Sequence, residues 1–176
     1  MIFTPAPLAG AYIIEVERQE DPRGFFARTW CAREFAENGL DTTLAQESIS
    51  FNEKPFTLRG MHFQKPPHEE VKVVRCTRGV VYDVIVDLRP GSATRAKWFG
   101  TELSQENRRM LYIPKGFAHG FLTLAPCCEL LYRISAFYVP GASGGVRWND
   151  PAFGIRWPAL PQVISERDTA YQDYIS

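Results

Sequence analysis

An all-β fold, an antiparallel sandwich or jelly roll, is what this sequence predicts. Short apolar segments recur along the whole chain, separated by Gly, Pro and Asn turns. Residues alternate between apolar and polar from Met61 to Gln64, the period of a strand with one packed face and one face lining a cavity. Helical patterning is almost absent. Many evenly spaced strands with so little helix suit a closed or double-layered β architecture.

In order, the expected strands begin with Ala11–Val16, which suits a sheet edge, Phe25–Trp30 and Leu44–Ser50. Leu58–Phe63 follows, then Val71–Cys76 beyond the Pro66-Pro67 loop, and Val80–Asp87, whose apolar run contains one acid, Asp83. Lys97–Leu103, Met110–Ile113, Gly120–Leu124 and Leu130–Ser135 complete the set. Ala32–Asn38 is expected to be helical, stopped by Gly39. Ser165-Glu166-Arg167-Asp168 has the form of a capping box opening a short final helix. No internal repeat or low-complexity segment interrupts the pattern. One domain over residues 1–176 is expected, with a core from about residue 20 to about residue 136. The Pro- and aromatic-rich tail from about residue 137 to 176 is expected to wrap that core.

With 20 basic and 20 acidic residues, the formal charge is zero. No surface for nucleic acid is advertised, and affinity for phosphate must come from a local cluster. The run from Val80 to Val86 is too short to span a bilayer, and the N-terminus lacks the regions of a signal peptide. Cys127 and Cys128 are adjacent while Cys31 and Cys76 stand alone, a pattern that suggests neither a zinc site nor a disulfide framework. Reduced thiols in the cytoplasm are the expectation.

Candidate chemistry gathers in Arg59-Gly60-Met61-His62 and in Lys72 on the next strand. Arg59 falls out of step with His62, and a bulge at Gly60 would bring both to one side. A base and several cations in one pocket suit an anionic substrate that must lose a proton. His119, in Gly116-Phe117-Ala118-His119-Gly120, is the second histidine in a Gly-containing segment. His68, the third, lies in a polar loop and is expected to be solvated. A metal is not expected, because Gln64 stands where the usual His-x-His ligand pair of a jelly roll needs its second histidine. By position alone, Asp168 is either a helix-capping acid or the carboxylate partner of His62. Tyr132 is by default a packed strand aromatic, Lys72 a solvated strand residue, and Arg23 a turn residue.

At Asp21-Pro22-Arg23-Gly24-Phe25-Phe26, Leu58-Arg59-Gly60-Met61-His62-Phe63-Gln64 and Ile113-Pro114 to Phe121, the chain resembles the dTDP-4-dehydrorhamnose 3,5-epimerase family of the cupin superfamily. Trp148-Asn149-Asp150-Pro151 and Ile155-Arg156-Trp157-Pro158 extend the match. The resemblance implies a cupin-type jelly roll and a cofactor-independent epimerase acting on a nucleotide-diphospho-4-keto-6-deoxyhexose. It implies His62 as base, Asp168 as its partner, Tyr132 as acid and Lys72 as the cation beside the keto oxygen. His119 would be a further site residue, and Arg23, Gln46 and Arg59 would contact diphosphate and sugar. A homodimer is the expected assembly. Arg28 and Ser143 stand where many members carry Glu, and the segment from Gln46 to Asn52 also departs from the common form. Those departures bear on nucleotide and sugar specificity. A 3-epimerase or ketoisomerase of the same superfamily, a non-catalytic sugar-binding cupin and a metal-dependent oxygenase are the competing readings.

Overall fold

The computed structural model describes residues 1–174, so the last two residues of the expected tail lie outside the described residues. Two antiparallel sheets face one another. The six-stranded sheet runs β1 (Ile2–Pro5), β2 (Tyr12–Glu15), β10 (Met110–Ile113), β7 (Lys72–Arg78), β12 (Cys128–Ile134), β5 (Gln46–Asn52). The five-stranded sheet runs β13 (Ser143–Gly145), β6 (Leu58–Gln64), β11 (Phe117–Thr123), β8 (Val80–Asp87), β9 (Trp98–Ser104). A separate hairpin joins β3 (Gln19–Asp21) to β4 (Gly24–Phe26). The helices are α1 (Ala32–Glu37) and α2 (Glu166–Thr169).

Strand alternation builds the core. Val74 and Cys76 of β7, Leu111 and Ile113 of β10, and Cys128 and Leu130 of β12 point inward from one sheet. Val81 and Ile85 of β8, Leu103 of β9, and Phe117 and Phe121 of β11 meet them from the other. Each large side chain removed from water in this way contributes about 1.5–3 kcal/mol. The outer face of the six-stranded sheet is capped in part by α1, whose Phe35 is fully buried among Ile14, Val73, Met110 and Tyr112. The tail covers the outer face of the other sheet: Val146 and Phe153 pack on Met61, Val84 and Ala118. Farther along, Thr57 and Val163 form a parallel bridge.

Several sequence expectations are corrected. Only Phe25 and Phe26 of the expected Phe25–Trp30 strand are extended, as the end of β4, because they lie exposed in a two-stranded hairpin that, among the described residues, no third strand joins. Ala11–Val16 is not an edge: β2 lies between β1 and β10, and the unpredicted β1 takes the border. Leu44–Ser50 pairs two residues later, as Gln46–Asn52, in register with β12. Gly120–Leu124 begins earlier, at Phe117, because its whole length is clamped between β6 and β8. The Gly-rich loop around Ser143 contributes the short strand β13 against β6.

Candidate active site

The inward rows that make the core also carry the site. On β11 the row reads Phe117, His119, Phe121; on β8 it reads Val81, Asp83, Ile85; on β12 it reads Cys128, Leu130, Tyr132, Ile134. Period-two alternation therefore points His119, Asp83 and Tyr132 between the sheets, where the apolar packing gives way to a cavity. That cavity measures about 210 Å³ and is bordered by Gln46, Arg59, His62, Lys72, His119 and Tyr132.

Arg59 reaches it through a bulge. His119 pairs with His62 and Phe121 with Arg59, so three steps on β6 match two on β11. The extra residue lets Arg59 and His62 share a side that regular alternation would deny them. Gly60 makes this possible: its φ is +142°, and a Cβ there would stand 2.6 Å from the Gly120 Cα. No other residue type fits at that spot.

His62 Nε2 lies 2.7 Å from Asp168 Oδ1. The other oxygen, Oδ2, accepts the Gly60 backbone N–H at 3.1 Å, so one carboxylate ties His62 to the bulge beside it. Burial pushes the Asp168 carboxyl upward. The hydrogen bond and charge of His62, with the Gly60 N–H, outweigh that and hold it below the ordinary carboxylate range. An ionised Asp168 keeps the proton on Nε2 and leaves Nδ1 as the basic nitrogen. Both readings of Asp168 apply, through different atoms: its backbone N–H is capped by Ser165 Oγ at 3.1 Å while its side chain serves His62.

A second His–carboxylate pair lies deeper. His119 Nε2 is 3.0 Å from each oxygen of Asp83, and both residues are buried. The His119 and Tyr132 rings meet edge to face at 5.8 Å. Burial pushes the Tyr132 phenol well above 10, Asp83 pushes it the same way, and Arg59 opposes them. Lys72 Nζ pairs with Glu70 Oε1 at 3.0 Å. Glu70 Oε2 in turn accepts from Gln64 Nε2 at 2.8 Å. The Gln64 amide also meets the carbonyls of His68 and Phe137 and the Val139 N–H. Where a metal-binding jelly roll would place its second paired histidine, this chain has a buried hydrogen-bond hub. Among the described residues, no three His, Cys, Asp or Glu side chains gather as a metal-binding group.

Seven of the eight residues singled out from sequence thus converge, six on the cavity wall and Asp168 behind His62. Arg23 does not. It occupies the exposed β3–β4 turn, paired with Asp21 at 2.6 Å, and does not border the cavity. Arg28 pairs with Glu34 on the surface, and Ser143 Oγ accepts from Arg167. Sequence reasoning missed Glu70, Phe121, Ile134 and Tyr138 on the wall, and Asp83 beneath it. Only Asp83 left a signal: a carboxylate inside an apolar strand must have a buried partner.

A base and a phenol on facing sheets, with cations between them, can remove a proton from one face of a bound molecule and return one to the other. Known proteins resemble this chain over most of its length. The family model for dTDP-4-dehydrorhamnose 3,5-epimerase matches residues 5–175. A dTDP-4-dehydrorhamnose 3,5-epimerase of Sinorhizobium fredii is 41% identical over 97% of this chain and 88% of its own. A dTDP-4-dehydrorhamnose 3-epimerase of Streptomyces niveus is 38% identical over 96% of this chain and 81% of its own. The crystal structure of the 3,5-epimerase from Bacillus anthracis, with TDP and PPi bound, superposes with a TM-score of 0.94 at 35% identity, covering 98% and 99% of the two chains. The chain belongs to the dTDP-4-dehydrorhamnose 3,5-epimerase family.

Proposed function

We propose that this protein inverts C3 and C5 of dTDP-4-dehydro-6-deoxy-D-glucose, giving dTDP-4-dehydro-L-rhamnose, without a cofactor. The observation that carries the reading is the disposition of base and acid. His62, backed by Asp168, rises from β6 of one sheet, and Tyr132 faces the same cavity from β12 of the other. In this reading His62 Nδ1 takes the proton from a carbon beside the ketone. The electron pair moves onto the keto oxygen, where Lys72 Nζ stabilises the charge. Tyr132 then delivers its phenolic proton to the opposite face of that carbon, and solvent restores both groups. Arg59 and Gln46 hold the diphosphate and sugar, with a guanidinium suited to paired phosphate oxygens. Turnover in deuterated water tests this: label is expected at both C3 and C5, and label at neither would overturn it.

The 3-epimerase relative from Streptomyces niveus favours one second reading, inversion at C3 alone. Label confined to C3 would establish it. The reading includes a homodimer: β5 is a sheet edge bearing the exposed Ile49 and Phe51, and Phe26 is exposed on the β3–β4 hairpin. A partner covering these residues would bury them; light scattering that returns only the single-chain mass at working concentration would refute it. All four cysteines are free, which supports a reducing, cytoplasmic setting. Among the described residues, no helix is long and apolar enough to cross a membrane.

A further inference from the structure

Beside His62 the chain builds a wall that the proton-transfer scheme does not use. β13 runs beside β6 with Gly145 opposite His62. Tyr171, half-buried in the turn after α2, lays its ring across Gly145 and meets the His62 ring edge to face at 6.2 Å. That placement depends on the missing side chain: a Cβ on Gly145 would stand 2.2 Å from Tyr171 Cζ. Arg167 closes the arrangement. Its Nε donates to the Tyr171 hydroxyl at 3.0 Å, and its Nη2 donates to Ser143 Oγ at 2.6 Å. One short stretch, residues 165–171, thus supplies the cap of α2, the carboxylate on His62 and an aromatic ring against the same imidazole.

We propose that Tyr171 is a positioning residue for His62, with Gly145 as the gap that admits it and Arg167 as its tether. An imidazole held by one hydrogen bond can still rotate about that bond. A ring packed on its flank removes the freedom and keeps Nδ1 aimed at the substrate carbon. Edge-to-face packing of two rings biases a rotamer without being needed for the fold. This inference rests on His62 being the base.

Three variants and two measurements test it. Tyr171→Leu keeps apolar cover but removes the flat ring, Gly145→Ala displaces the ring while leaving Tyr171 in the chain, and Tyr171→Phe keeps the ring without its tether. Misplaced bases lose rate rather than affinity, so kcat is expected to fall roughly 10- to 100-fold in the first two with KM little changed. Tyr171→Phe is expected to recover most of that loss. Independently of turnover, the downfield proton resonance of the His62–Asp168 hydrogen bond is expected to broaden or vanish in Tyr171→Leu and Gly145→Ala. Unchanged kcat and an unchanged resonance in both would overturn the proposal. A parallel His62→Asn control keeps the two ideas apart. If that control retains turnover, His62 is not the base; if it is dead while Tyr171→Leu is fully active, only the positioning role fails.

Discussion

At the scale of single residues, the site works by giving similar groups unlike surroundings. His62 is half-exposed on the cavity, while its partner Asp168 is buried and held ionised by two donors, the His62 ring and the Gly60 N–H. His62→Ala is therefore expected to cost about 10²–10⁴-fold in kcat with binding of dTDP little altered, because no second acceptor lies on that face. Asp168→Asn keeps the shape but loses the charge that fixes the proton on Nε2, and it too should lower kcat more than KM. If Asp168 served only as a helix cap, that substitution would leave turnover intact. Tyr132 is tuned the other way: burial first, then Asp83, keep its proton in place well above pH 10. Comparing tyrosinate absorbance of the parent and Tyr132→Phe at about pH 10 should show no missing amplitude. In deuterated water the same variant should exchange the substrate proton without net inversion.

At the scale of elements, the decisive feature is the irregularity in β6. A regular strand would bury Arg59 on the far face among Met61 and Phe63; the bulge brings it beside His62. Gly60→Ala would force a side chain into positive φ and against the Gly120 backbone. Such strain costs roughly 1–3 kcal/mol, so a lower denaturant midpoint is expected together with a lower kcat. Retention of both would mean that the bulge tolerates a side chain and does not set the site. α2 has a matching role. At four residues it is too short to be stable by itself, and it holds because Ser165 caps it and Asp168 anchors it to β6.

For the whole molecule, stability should share the charge logic of the site. Asp87 is fully buried, which pushes its carboxyl upward, but the Arg89 ion pair and the Ser92 and Thr94 hydroxyls outweigh burial and hold it far below the ordinary range. Asp168 is depressed as well. Folded values lie below the ordinary 3.8, so the stabilisation from both is complete above about pH 4 and is lost as pH falls through the folded values. Melting temperature should drop as pH is lowered from about 5 to about 2, and Asp87→Asn should flatten that dependence. Removing the Asp87 carboxylate also leaves Arg89, itself partly exposed, without its partner, so Asp87→Asn is expected to melt below the parent at neutral pH. A parent whose melting temperature does not change over that pH range would contradict the assignment.

The β class, most strand positions and the site's main residue types were legible in the chain, because strand periodicity and turn residues are local properties. Gly60 even marked the bulge, since only glycine combines positive φ with so close a backbone approach. Resemblance, not spacing, named Asp168 and Tyr132, which stand 106 and 70 positions from His62. What the tertiary structure alone decided is which distant rows face each other. Pairing of β12 with β7, and the opposition of the two sheets, put Tyr132 across from His62. The fold of the tail onto β6 put Asp168 and Tyr171 behind it. Arg23 shows the same limit from the other side: its motif matched, yet nothing local could tell that its hairpin stands away from the cavity of its own chain. Sheet order and long-range register are chosen by the burial of the whole core, and no stretch of sequence contains that sum.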